Sequence, residues 1–158
     1  MKNSLPLSKM EIAVSLVDRE NVMHYPLSLL TKECDKVTVW AFLRGKPPFS
    51  LEVCSKGTKP LSRRPKGLAL NATSLGKEEL EKFFQIASSA DAKARNLLND
   101  NKLTSSLVRA REFLEYLLID EGESRIFMTG RLTEKSLDPL LDIVMLSGRS
   151  IIGFSSQK

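Results

Sequence analysis

The chain has 158 residues, a formal net charge of +5 and 42% hydrophobic residues. This length suits one domain, and this hydrophobic content argues against an intrinsically disordered chain. The longest uninterrupted apolar run covers only residues 39–43, whereas a membrane-spanning helix needs about 20 residues. Lys9 and Glu11 interrupt the N-terminal segment before any signal-peptide core forms, so we expect a protein that is not secreted. We expect residues 1–8 to form a flexible arm and residues 9–158 to form a single globular domain.

The first half of the chain predicts a strand, a short helix and two more strands. Apolar residues alternate with polar ones over residues 10–16, which is typical of a half-buried strand, although residues 10, 13, 14 and 17 would also fit one face of a helix. Pro26 suits the first turn of a short helix that ends near Cys34. Residues 36–43 carry apolar side chains on both faces, which predicts a central strand. Residues 49–54 alternate again, so we expect these two strands to pair as a hairpin with a basic tip.

The second half predicts two long helices, a strand, a short helix and a last strand. Apolar residues recur at helical spacing over residues 77–99 and again from Thr104, a candidate N-cap, to Gly122. These two helices are most simply an αα-hairpin. A strand is predicted over residues 125–132, followed by a buried helix that Asp138 caps and Gly148 ends. Residues 149–155 then predict the closing strand.

Together these elements predict an α+β fold. The expected order is strand-helix-strand-strand-helix-helix-strand-helix-strand, with a mixed sheet of about five strands. The αα-hairpin and the buried C-terminal helix would pack against that sheet. Residues 55–75 would form a long basic loop, and loops of this length in compact domains are usually functional or mobile.

The positive charge of the chain is concentrated in one segment. Residues 44–66 contain seven Lys and Arg residues and a single acid, Glu52, so their net charge of +6 accounts for the whole excess. Such asymmetry predicts an anionic partner, either nucleic acid or a membrane surface. The alternative is an ordinary solvated loop. The candidate anion-binding residues are Arg44, Lys46, Lys56, Lys59, Arg63, Arg64 and Lys66.

Catalytic and metal-binding patterns are weak in this sequence. Cys34 and Cys54 form no CxxC pair, and we expect both to be buried free thiols. His24 is the single histidine and lies in no nucleophile motif. Asp138 and Asp142 have the spacing of a carboxylate pair on one helical face, but a cap and an exposed position explain them as well. We therefore expect no enzyme activity, no cofactor, no metal and no small-molecule substrate.

The order of elements resembles the globular domain of rhabdovirus matrix proteins, including divergent plant members. The resemblance rests on residues 9–14, 37–40 and 50–53, the Gly45-Lys46-Pro47-Pro48-Phe49 turn, and the predicted strand, buried helix and strand of residues 125–155. It covers roughly half of the chain, and the predicted helices of residues 67–123 depart from it. The sequence also lacks a Pro-Pro-Xaa-Tyr motif, because Phe49 and Ser50 follow Pro48.

This resemblance implies a structural virion protein that self-associates, binds viral nucleoprotein or RNA and contacts an anionic membrane peripherally. It implies a location in the virion and the host cytoplasm. Residues 62–66 also match a nuclear import signal, which would add the nucleus. The alternative hypothesis is an intracellular nucleic-acid-binding regulatory protein, which would discriminate between nucleic-acid sequences or strand forms.

Overall fold

A computed structural model describes residues 10–17, 22–23, 36–57, 67–74, 76–133 and 135–156. Within these ranges the chain forms eight strands and four helices, which confirms the α+β class. The predicted arm of residues 1–8 and the short helix after Pro26 lie outside the described residues. For residues 10–17, 22–23 and 153–156, only the backbone is described.

The strands form one sheet in which every described pairing is antiparallel, rather than the mixed sheet of about five strands that was predicted. Its spatial order is β2-β1-β3-β8-β7-β4-β6-β5. Only β2 and β5, at the two edges, are as short as two residues. The strands are β1 (Met10–Val17), β2 (Val22–Met23), β3 (Lys36–Leu43), β4 (Leu51–Ser55), β5 (Asn71–Ala72), β6 (Phe84–Ser88), β7 (Leu114–Asp120) and β8 (Arg125–Arg131).

The predicted hairpin between residues 36–43 and 49–54 is wrong, although both segments contain strands. β3 pairs with β1 along one edge and with β8 along the other. β4 pairs with β6 and β7 instead. Because a strand has only two edges, the full pairing of β3 leaves no edge for β4. The central position predicted for β3 is confirmed.

The predicted αα-hairpin is also wrong. The segment expected to form its first helix contains α1 (Glu78–Glu81), strand β6 and α2 (Asp91–Leu98). The segment expected to form its second helix contains most of α3 (Asn101–Arg109) and then strand β7. Asp100, and not Thr104, is the N-cap of α3, because its carboxylate accepts hydrogen bonds from the backbone amides of Lys102 and Leu103.

The last helix, α4 (Leu137–Ser156), replaces the predicted short helix and closing strand. Asp138 lies inside its first turn instead of capping it, and Gly148 lies within the helix instead of ending it. Leu140, Val144 and Ile151 are fully buried at helical spacing, so the apolar stripe continues past the glycine. None of the helices in the described ranges is long and apolar enough to cross a bilayer.

The main core lies between the helices and one face of the sheet. Alternate residues of the central strands, such as Val39, Val53 and Met128, face this core and are completely buried. The opposite face carries a second cluster, formed by Cys54, Tyr116 and Leu118. Leu68, Leu70 and Phe127 pack against this second cluster. Burial of Cys54 agrees with the prediction for that thiol, whereas Cys34 lies outside the described residues.

Candidate anion-binding surface

The candidate anion-binding residues that the structure describes lie at two opposite ends of the sheet. Arg44 and Lys46 directly follow β3, at the end of the sheet where β3 ends and β8 begins. This end of the sheet is called the Leu43 end. The Leu43 amide donates a hydrogen bond of 2.8 Å to the Ser124 carbonyl, which holds this connection beside the β7–β8 turn. Both basic residues are exposed.

Lys56 lies at the opposite end of the sheet, called here the Lys56 end. It directly follows β4, and its amide donates a hydrogen bond of 3.2 Å to the Phe83 carbonyl. The five residues of β4 separate Lys56 from the Leu43 end by roughly 17 Å at the usual rise of a strand. The structure therefore does not bring Lys46 and Lys56 together at a hairpin tip. The other four candidates, Lys59, Arg63, Arg64 and Lys66, lie outside the described residues.

The side chains of the three described candidates are free to contact an anionic partner. Within the parts of the chain that the structure describes, no hydrogen bond or ion pair engages the side chain of Arg44, Lys46 or Lys56. Lys36, in contrast, forms an ion pair with Glu115 at 3.5 Å. Acids also lie at the Leu43 end: Glu11 is in register with Phe42, Asp120 is in register with Arg125, and Glu121 and Glu123 lie in the β7–β8 turn.

Two further residues at the Leu43 end were missed by the sequence reasoning. Phe42 is 48% exposed and is the one exposed large hydrophobic side chain among the described residues. Arg125 is its cross-strand partner in β8. The Nε atom of Arg125 is buried without a hydrogen-bond acceptor. The alternation of residues 36–43 would have placed Phe42 on the face opposite Ala41, but nothing in the sequence identifies Arg125 as its neighbour.

An aromatic row continues from Phe42 across the same face of the sheet. Trp40 and Phe127 are cross-strand partners whose ring centroids are 5.9 Å apart. The rings of Phe127 and Tyr116 meet edge to face at 6.1 Å. This face therefore presents aromatic side chains directly beside Arg125.

The Lys56 end carries its own basic cluster. Lys82 Nζ lies 5.7 Å from the centroid of the Phe83 ring, and Arg111 Cζ lies 5.4 Å from it. Both distances are within the range of a cation–π interaction. Two cations therefore contact the Phe83 ring, and the backbone of Lys56 is hydrogen-bonded to the carbonyl of the same phenylalanine. The sequence reasoning missed Lys82 and Arg111, because both were expected within long helices.

Acidic groups in the structure do not form a metal centre among the described residues, where no cluster of three or more potential ligands occurs. Glu52 is buried and lines a cavity of about 410 Å³, together with Thr73, Glu81 and Gln85. Asp142 is exposed on α4, one turn after Asp138. His24 lies outside the described residues.

Comparisons with known proteins give no family. No protein-family model matches the chain, and no curated protein matches it. Among solved structures, the crystal structure of the mycobacterial trehalose monomycolate transport factor A, TtfA, is similar with a TM-score of 0.45 and 11% identity. The similarity covers 77% of this chain but only 60% of that one, less than two thirds of its length. A likeness at this level carries no inference about function.

Proposed function

We propose that this chain is a matrix-type structural protein of a virus, which self-associates and binds both a nucleocapsid and an anionic membrane surface. The observation that carries the proposal is the concentration of charge, with a net +6 in residues 44–66 of a chain whose total is +5. Clustered Lys and Arg residues bind phosphates without requiring a fixed register, which suits RNA and lipid headgroups alike.

The separation of the basic residues supports a bridging role. Arg44 and Lys46 lie at the Leu43 end, while Lys56 lies at the opposite end and leads into the segment with Arg63 and Arg64. A protein that links two anionic partners needs two separate contact surfaces. Their placement at opposite ends of one sheet would let both partners bind without competing.

Binding to RNA and to acidic vesicles over a range of salt concentrations tests this proposal. Replacement of Arg63, Arg64 and Lys66 by Gln should weaken RNA binding. It should also reduce the slope of log affinity against log salt by nearly one for each phosphate that is no longer neutralised. A matched control replaces three exposed cations elsewhere, Lys93, Lys135 and Arg149, by Gln, and so removes the same charge.

Equal weakening in the two triple variants would show that net charge alone drives binding, which contradicts the proposed surface. Unchanged binding in the variant that lacks Arg63, Arg64 and Lys66 would contradict the proposed surface as well. A competition assay with unrelated RNA and DNA sequences separates the alternative, an intracellular nucleic-acid-binding regulator. The matrix-type proposal predicts little discrimination between sequences, whereas a regulator would discriminate strongly.

A further inference from the structure

We propose that the cavity beside Glu52 binds a small organic cation, a primary amine with an apolar body whose ammonium group contacts the Glu52 carboxylate. This inference goes beyond the proposed function and does not depend on it, since none of the described candidate anion-binding residues lines the cavity. The cavity has a volume of about 410 Å³, which lies within the range of pockets that hold small ligands. All of its lining residues belong to described parts of the chain.

The strand register explains why a cavity lies beside this carboxylate. Glu52 of β4 is in register with Ala87 of β6, and Ala87 is in register with Ala72 of β5. Paired residues of antiparallel strands place their side chains on the same face of the sheet. Two methyl groups therefore continue the row that begins at Glu52, and they leave open the space that larger side chains would fill.

Glu52 is the polar anchor of the cavity. It is only 2% exposed, yet it contributes to the cavity lining. The Tyr116 hydroxyl donates a hydrogen bond of 2.7 Å to Glu52 Oε2, which fixes the orientation of the carboxylate. A carboxylate can accept about four hydrogen bonds, so one that is held by a phenol can also accept from a ligand. Because water screens a buried charge poorly, this carboxylate attracts a cation more strongly than an exposed one does.

The remaining polar lining is acidic or neutral. Glu81 is a second carboxylate, and its Oε1 accepts a hydrogen bond of 2.9 Å from the Gly76 amide. The Thr73 hydroxyl donates a hydrogen bond of 2.8 Å to the Asp91 carboxylate, which fixes this part of the wall. Both charged groups that line the cavity are therefore negative, and this favours a positively charged ligand.

Cations of the neighbouring segments are engaged by other groups. Arg95 Nε donates to the Ser74 carbonyl at 3.0 Å, and Lys77 Nζ donates to the Leu98 carbonyl at 2.8 Å. Lys82 lies over an aromatic ring at the Lys56 end. Within the described chain, neither a lysine nor an arginine lines the cavity. The two carboxylates therefore face the cavity without a cation from the lining residues.

An organic cation fits this cavity better than a metal ion does. Ca²⁺ takes about six to eight oxygen ligands, whereas no group of three or more potential metal ligands occurs among the described residues. An ammonium group offers three hydrogen-bond donors to the carboxylates. Phe84, Ile86 and the two alanines supply apolar lining that would contact the carbon body of the ligand.

Titration of the full chain with phenethylamine, followed by the backbone amide signals in nuclear magnetic resonance spectra, tests the inference. 2-Phenylethanol and 3-phenylpropanoate are uncharged and anionic probes of similar size. Phenethylamine should shift the amide signals of Thr73, Gln85 and Ala87. The alcohol should bind about tenfold more weakly, because it lacks the charge that faces Glu52. The anion should not shift these signals.

Two variants separate the role of the carboxylate from that of the space beside it. Glu52→Gln removes the charge and keeps the shape, so phenethylamine should bind about tenfold more weakly. Ala72→Leu, at an exposed position of β5, fills the space without a change of charge and should abolish binding. Glu78→Gln is the matched control, because it removes the same charge from an exposed residue that does not line the cavity. It should leave binding unchanged.

Several results would overturn the inference. These are an absence of shifts with phenethylamine, equal binding of the alcohol, and equal weakening by Glu52→Gln and Glu78→Gln. Undiminished binding by Ala72→Leu would place the amine elsewhere on the protein and would overturn it as well. Far-ultraviolet circular dichroism checks the folding of each variant, and Ala72→Leu decides the question if Glu52→Gln does not fold. None of these results affects the proposed function, which RNA and vesicle binding test separately.

Discussion

The Tyr116 hydroxyl donates a hydrogen bond of 2.7 Å to the carboxylate of Glu52, and both residues are buried on the face of the sheet opposite the helices. The two residues are 64 positions apart, and the bond joins β4 to β7. A buried carboxylate needs hydrogen bonds to offset the loss of its hydration. The pair therefore stabilises the centre of the sheet through a polar contact.

Removal of this hydroxyl should destabilise the fold. We expect Tyr116→Phe to lower the free energy of unfolding by about 1.5–3 kcal/mol, the range for hydrogen bonds to charged groups. Urea denaturation measures the change. The single variant Glu52→Gln and the double variant with both substitutions complete a double-mutant cycle. Additive effects of the two substitutions would contradict an energetic coupling between these side chains.

Substitution of Gly130 should also destabilise the protein, through overpacking. A Cβ atom at this position would lie 2.7 Å from Leu140 Cδ1 and 3.0 Å from the Phe113 carbonyl oxygen. The side chain of Leu140 is fully buried, so it has little room to move. We expect Gly130→Ala to lower the free energy of unfolding by about 1–3 kcal/mol.

Gly57→Ala is the matched control for Gly130→Ala. A Cβ atom at Gly57 would meet nothing within 4 Å, and the φ angle of this residue is not positive. Its effect on the free energy of unfolding should remain within about 0.5 kcal/mol. Equal effects of the two substitutions would show that Gly130 is not closely packed.

The stability of the protein should depend on pH through Asp100. Burial of its carboxyl raises the pKa, but hydrogen bonds from the Ser150 hydroxyl and from the backbone amides of Lys102 and Leu103 outweigh this effect, with help from the Lys102 charge. The pKa of Asp100 therefore lies below its ordinary value. Since the ionised form is favoured by folding, this stabilisation is present above the unfolded pKa of about 3.9 and is lost as pH falls through the folded pKa.

Asp100→Asn provides the comparison, because asparagine also caps helices well but does not titrate. The asparagine amide nitrogen cannot accept the bond from Ser150 that Asp100 Oδ2 accepts at 2.9 Å. We expect Asp100→Asn to be less stable than the unchanged protein at pH 7, and the difference to shrink as pH falls below about 4. Urea denaturation at several pH values measures it. A difference that is constant with pH would exclude titration of Asp100 as the cause.

Local patterns of apolar residues predicted several of the strands. The alternation of residues 10–16 and the two apolar faces of residues 36–43 correspond to β1 and β3, and residues 125–132 correspond to β8. β7 was missed because Tyr116, Leu117 and Leu118 are all buried, so the strand shows no alternation and its leucines also fit a helical stripe. In α4, the adjacent isoleucines Ile151 and Ile152 resemble a strand locally, but packing of the helix on the core overrides that preference.

The candidate surface was only partly predictable, because composition identifies charges but not strand neighbours. Arg44, Lys46 and Lys56 stand out in the sequence by clustering. Their division between two ends follows from the pairing of β4 with β7, residues more than 60 positions apart. The pairing of Arg125 with the strand of Phe42 likewise joins positions more than 80 residues apart. Such long-range pairings depend on the whole set of strands and leave no local signal.

The pairing of β3 with β8 also constrains how the chain can be made. β1 and β3 connect to the other half of the sheet through β8, whose last residue is Arg131. During synthesis, the edge of β3 that pairs with β8 stays unpaired until about ninety further residues have been synthesised. An exposed strand edge of this kind favours aggregation with other nascent chains. Truncation before β8 should therefore yield insoluble protein and not a smaller folded domain.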